Sequence, residues 1–307
     1  MLYVSTRNIN DTYTAYRALH EAFAADGGSY VPFHLPVYSN ADLLRMRQST
    51  CSDTIAEVLN LFFGLRLSGW DVECAIGRAP FKVESLGQRL VVAETWRNPD
   101  GSLKYLIDNL YRLACGENNK GKQPAGWALI AIQIAMLFGV YASMDIPCAE
   151  RFDIAVPAGD FSDMVTVSYA RAMGLPIELA LCACNENSSV WDFICRGELS
   201  TNTNQPVYME TFVYQSLGAD EVKRYLDARE RKHIYYINEA QQLAVTVNTF
   251  ATVVSTRRID SVISGMFQSN NYRLDNNAAL SYSALQDYRA INGINKNTLI
   301  LAKKRTN

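Results

Sequence analysis

Three stretches of this 307-residue sequence carry residues whose types and spacing could do chemistry. Gly116-x-x-x-x-Gly121-Lys122 has the glycine and lysine spacing of a loop that cradles nucleotide phosphates. Gln123 stands where a Ser or Thr would hold magnesium, and a helical pattern rather than a strand precedes it, so the match reads as coincidence. "VPAGDFSDM" (156–164) is a strand that passes through a glycine turn into a helix start, a geometry that aims backbone N–H groups at one spot and favours an anion. Asp160 and Asp163 compete with that use: they can cap the helix themselves, and ionised they repel a phosphate, so capping is the leading reading. The third stretch holds Lys104, followed by Asp108 and Arg112 at i+4 and i+8, a charged face opposite the apolar stripe Leu103, Leu106, Ile107 and Leu110. A lysine that forms an imine needs a cleft that lowers its pKa, and nothing local supplies one.

The elements around these stretches follow from periodicity. Tyr16, Leu19 and Phe23 predict a helix that runs to Gly27 and Gly28, "PFHLP" an extended connection, and Ile55 to Phe63 an amphipathic helix. "RLVVAE" predicts a strand, 101–115 a helix, and Gly126 to Met144 a helix buried on nearly all sides. "FDIAVP", "MVTVSYARAMG" and "PIELALCA" then form a βαβ unit, which implies a parallel sheet. Helices are expected over 218–232, 238–250, 256–268 and 278–291, with "HIYYI" and "TLILA" as short strands. Cys182 and Cys184 alternate along their strand and should share a face.

Composition excludes several classes. A formal net charge of -2 leaves no basic face for nucleic acid. The longest apolar run contains Gln133 and two glycines and falls short of the ~20 apolar residues of a spanning helix, so no membrane is expected. The N-terminus lacks a signal-peptide pattern, and a cytoplasmic location is expected. Seven scattered cysteines suit reduced thiols, and three histidines without ligand spacing argue against a metal.

Several segments, in order along most of the chain, resemble threonine synthase, a pyridoxal-phosphate (PLP) enzyme of fold type II. "YVSTRN" and "AFAADGGSYVPFHLP" resemble the family's "STRG" and "GLA-DGGLYVP...P". "QPAGWALIAIQIAMLFGVYA", "FDIAVPAGDFSDM...GLPIELALCACNEN" and "NYRLDNNAALSYSAL" resemble "NSINWARI-AQIVYYFYAY", "VPSGNFGD...GLPI...ATN-ND" and "GY-LDPHTAVGYAAL". The resemblance implies an α/β fold with a mostly parallel sheet flanked by helices. It places Lys104, with Glu94 and Pro99 at matching offsets, where the family has its cofactor lysine, and Gly159, Asp160, Phe161, Ser162 and Asp163 where it has its phosphate loop.

The departures are as informative. Only about twenty residues separate Tyr105 from the 126–144 helix, where the family carries a smaller Rossmann-like domain that covers the cofactor. The expected organisation is therefore a threonine-synthase-like N-terminal region, 1–92, and the rest of the large domain, 93–307, with the cofactor domain missing after about residue 116. "GNFGD" has become Gly159-Asp160-Phe161-Ser162-Asp163, and Lys303 replaces the threonine expected to meet the pyridine nitrogen.

Three functions follow. The first is a repurposed enzyme of amino-acid-related or specialised biosynthesis that uses the former PLP cleft: Lys104 serves as base or imine former, Arg97 holds a carboxylate, and Glu94 and the 159–163 loop stand nearby. Its substrate would be small, amino-acid-like or a carboxylate, and a homodimer or partner subunit would cover the open cleft. The second is a catalytically inactive, partner-binding pseudoenzyme. The third is a PLP-dependent elimination or replacement lyase with the cofactor on Lys104.

Overall fold

A computed structural model describes all residues except 117–120, 187, 203–204, 295 and 307. Residues 117–120 of the Gly116 to Lys122 stretch thus lie outside the described residues. The chain forms two compact units, one of 1–83, 95–150 and 166–176, the other of 84–94, 151–165 and 177–307.

In the first unit, β1 (Leu2–Ser5) pairs antiparallel with β2 (Tyr13–Thr14) and β3 (Tyr30–Pro32). Six helices follow or intervene: α1 (Ala15–His20), α2 (Asn40–Gln48), α3 (Cys51–Phe63), α4 (Gly69–Ile76), α5 (Leu103–Cys115) and α6 (Trp127–Ala142). Helices α2, α3 and α4 each open with a capping box, Ser39/Asp42, Thr50/Asp53 and Ser68/Asp71, in which hydroxyl and carboxylate satisfy orphan N–H groups reciprocally. Helix α6 is buried almost all round, as its sequence requires, and Trp127 at its start packs edge-on against Phe62 and Tyr169. Gly126 enters it at φ 56°, and a Cβ there would lie 2.0 Å from the Ala22 carbonyl oxygen.

Helix α1 ends at His20, short of the expected Gly27, and leaves Tyr16 and Phe23 exposed. Glu21 turns extended because its carboxylate accepts from the Arg17 guanidinium and the Tyr30 hydroxyl, which binds the chain to β3 rather than to another helical turn.

The second unit is built on a six-stranded sheet. Its strands are β4 (Lys82–Ser85, which enters the unit at Glu84), β5 (Leu90–Glu94), β6 (Phe152–Pro157), β7 (Ile177–Asn185), β10 (Thr249–Val254) and β11 (Thr298–Ala302). The order is β10-β7-β6-β11-β5-β4, and the pairs from β10 to β5 are all parallel. A separate antiparallel ribbon joins β8 (Glu198–Ser200) and β9 (Ile234–Tyr236). The helices are α7 (Ser162–Ala172, which leaves the unit at Thr166), α8 (Ser189–Arg196), α9 (Met209–Leu217), α10 (Ala219–Glu230), α11 (Glu239–Thr246), α12 (Thr256–Asn270) and α13 (Asn276–Asn292).

The expected β6-α7-β7 unit is present, and the Cys182 and Cys184 thiols lie 3.9 Å apart on one face of β7. The helix expected over 238–250 stops at Thr246, and "TFATVV" becomes β10 beside β7. Its β-branched residues suit a pleated surface, and the partner strand that exploits this is distant in sequence.

Candidate functional site

The carboxyl ends of parallel strands β5, β11 and β6 bring most of the second unit's polar chemistry together. Where such strands end, unpaired backbone groups and helix starts meet, the usual place for a site in an open α/β sheet. Glu94 closes β5 in register with Ala302 of β11. Glu94 is 3% exposed, and the Tyr272 hydroxyl donates to its Oε1 at 2.9 Å. Burial, then this carboxylate, raise the Tyr272 phenol far above its usual range.

One residue beyond β11, Lys303 turns onto Asp163 in the first turn of α7, ammonium against carboxylate, with both side chains largely buried. Asp275 fixes that turn. Its Oδ2 accepts from the backbone N–H of Lys303 (2.6 Å) and Lys304 (3.0 Å), while Oδ1 caps α13 at Ala278 N (2.9 Å).

The glycine turn after β6 is held from within. Asp160 Oδ1 accepts from the Ser162 backbone N–H (3.0 Å) and from its hydroxyl (2.6 Å), so a carboxylate of the chain occupies the start of α7. Gly159 adopts φ 45°, and Phe161 adopts φ 72° while fully buried, its ring edge-on to Phe212 at 4.8 Å. A left-handed aromatic residue costs on the order of 1 kcal/mol, and its packing holds the turn in place. The Tyr208 N–H donates to Asp160 O (3.0 Å) and pins the turn to the segment before α9.

Beside this turn lies an open cleft of about 640 Å³ at the ends of β6 and β7. Three groups of residues wall it: Ala158 to Asp160, Asn185 with Ser188 to Val190, and Gln205 to Val207. The last two escaped the sequence reading. Asn185 merely ends the β7 pattern, and 205–207 have no periodicity to mark them.

The other nominated residues belong to the first unit. Lys104, near the start of α5, has a 65% exposed side chain; its ammonium donates to Asp108 Oδ2 and to Gln123 Oε1 (2.6 Å). Asp108 and Gln123 line a cavity of about 290 Å³ with Arg112, Gly116, Gly121 and Lys122. Arg97 is exposed, with its guanidinium 5.1 Å from the centre of the Trp96 ring. Asn98 braces the entry to α5 through bonds to Thr95 O and Ser102 O.

PLP would bring a phosphate dianion and require a lysine amine. The Asp160 carboxylate already takes the N–H at the start of α7, Asp163 adds a second carboxylate to the same turn, and Lys303 is committed to Asp163. The Lys104 ammonium is engaged by Asp108 and Gln123. These residues do not fit the group. Among the described residues, no set of three or more His, Cys, Asp or Glu could hold a metal ion, and no helix is long and apolar enough to cross a membrane.

Comparison with known proteins agrees on the scaffold. Residues 2–79 match the family model for the threonine synthase N terminus. A threonine synthase from Methylobacillus glycogenes is 32% identical over 111 residues, 32% of this chain and 23% of that protein. One from Eremothecium gossypii is 28% identical over 170 residues, 54% of this chain and 32% of that protein. The chain thus spans about a third or less of the length of these curated relatives. The crystal structure of a PLP-bound threonine synthase from Brucella melitensis superposes with a TM-score of 0.85 at 17% identity, over 99% of this chain and 89% of that one, a likeness of fold alone. In its matched N-terminal region and its partial relatives the chain is similar to threonine synthases and threonine synthase-like proteins, and its mostly parallel sheet flanked by helices shares the fold of the threonine synthase structures.

Proposed function

We propose that this chain is a threonine-synthase-like protein that works without PLP, with the family scaffold retained for a small-molecule site. The observation that carries this reading is the Asp160 carboxylate on Ser162 N, in the position where a phosphate would need that N–H. Two carboxylates within one turn oppose a dianion, and Lys303, the cation that meets this turn, is spent on Asp163. The short connection after residue 116 is consistent with loss of the family's cofactor domain.

On this reading the chain performs no PLP-dependent elimination or replacement. The test is incubation of the full chain with excess PLP, borohydride reduction and peptide mass spectrometry. No stable pyridoxyl adduct at Lys104 is expected beyond that on other exposed lysines. A stoichiometric adduct at Lys104, lost in Lys104→Ala, would overturn the reading.

A repurposed enzyme is the more specific version. It is favoured by Glu94, Tyr272, Lys303 and Asp163 at neighbouring strand ends, a set with acid, base and amine capacity. Turnover of an amino-acid-like substrate without added PLP would support it, with loss in Lys104→Ala or in Lys303→Met telling which lysine takes part; no turnover across a broad panel of amino-acid-like and carboxylate substrates would exclude it.

A further inference from the structure

We infer that the 640 Å³ cleft at the ends of β6 and β7 is a binding site for a small amine-bearing molecule, with Asp160 as its charged anchor. The inference rests on the PLP-free reading, because a phosphate in this turn would compete with Asp160 for the Ser162 N–H and displace the anchor. Among the described residues that line the cleft, Asp160 alone is charged; Asn185 and Ser189 add a neutral amide and a hydroxyl, and Ala158, Pro206 and Val207 offer apolar surface. An anion would meet a carboxylate and no cation. An ammonium meets a carboxylate flanked by acceptors, and an attached carbon chain meets the apolar residues.

Asp160 is also preorganised. Ser162 holds Oδ1, so among the described residues the second oxygen, Oδ2, makes no hydrogen bond and is left to accept from a ligand. The Tyr208 N–H on Asp160 O ties the anchor to the wall formed by Gln205 to Val207, and Phe161 packed on Phe212 fixes the turn between them. The side chain therefore loses little conformational freedom on binding, which favours affinity.

Calorimetry and protein-detected NMR on the full chain, with putrescine, agmatine and L-ornithine as probes and butyrate and inorganic phosphate as anions, test this. At least one amine is expected to bind saturably, more weakly as salt rises, with no binding of either anion. Asp160→Asn keeps an acceptor for Ser162 and hence the fold, yet should lose about 10- to 100-fold in affinity, the range for a hydrogen bond to a charged group. Val207→Trp, at an exposed position, should block the cleft without unfolding the chain. Failure of all three amines to bind, preference for phosphate, or binding unchanged in both variants would overturn the inference. The PLP adduct assay on the same preparations separates the two readings. An adduct at Lys104 defeats the PLP-free reading, whereas no adduct and no amine binding defeats the amine site alone.

Discussion

The Lys303 ammonium rests on the Asp163 carboxylate, with the side chains 16% and 13% exposed, and so links the end of β11 to the first turn of α7. Breaking such a pair from one side strands a partly buried charge. Lys303→Ala should therefore destabilise the protein by about 1–3 kcal/mol, discounted from the fully buried case for residual solvent. Asp163→Asn added to Lys303→Met should recover much of the loss. Urea unfolding of the single and double variants measures both.

Tyr272 donates to a buried Glu94. Tyr272→Phe keeps the ring and removes that donor, so a loss of about 1–2 kcal/mol is expected. Retained stability in the variant would show that the other contacts of Glu94 suffice.

Lys104 presents the opposite case. Its side chain is mostly in water and its partner Asp108 lies one turn along α5. Lys104→Ala should change stability by no more than about 0.5 kcal/mol, as exposed i,i+4 pairs do. A loss several times larger would mean that α5 depends on the link from Lys104 to Gln123.

Asp153, at the start of β6, is buried, and desolvation, aided by repulsion from Glu178, raises its carboxyl to about 6 despite partial relief by Lys296. A carboxyl whose folded pKa exceeds its unfolded value binds more protons in the native state. Its contribution to stability is therefore fully present below the unfolded value, falls as pH rises, and is lost once pH passes about 6. Asp153→Asn should raise the melting temperature near neutral pH, with the advantage shrinking to nothing at about pH 4. An equal shift at both pH values would refute the assignment.

Much of this protein was legible in the sequence because its signals are local. The β6-α7-β7 unit shows in apolar runs punctuated by glycine, the buried α6 in an unbroken apolar stretch, and the charged face of Lys104 and Asp108 in simple i,i+4 spacing. Asp160 as its own helix cap was readable too, since the carboxylate lies two residues from the N–H it accepts. The helix called for over 238–250 was misplaced where pairing decided the outcome: β10 is a strand because β7 lies beside it.

Tertiary structure alone decided the partners. Nothing near Lys303 in sequence points to Asp163, 140 residues away, or near Glu94 to Tyr272, 178 residues away. Parallel strands must end at the same edge of a sheet, and this geometry gathers residues that the chain keeps apart. The sequence thus determined the scaffold and which residues stand in the glycine turn after β6. The fold determined that this turn is satisfied by the chain's own carboxylate, because hydrogen bonds and ion pairs form between neighbours in space.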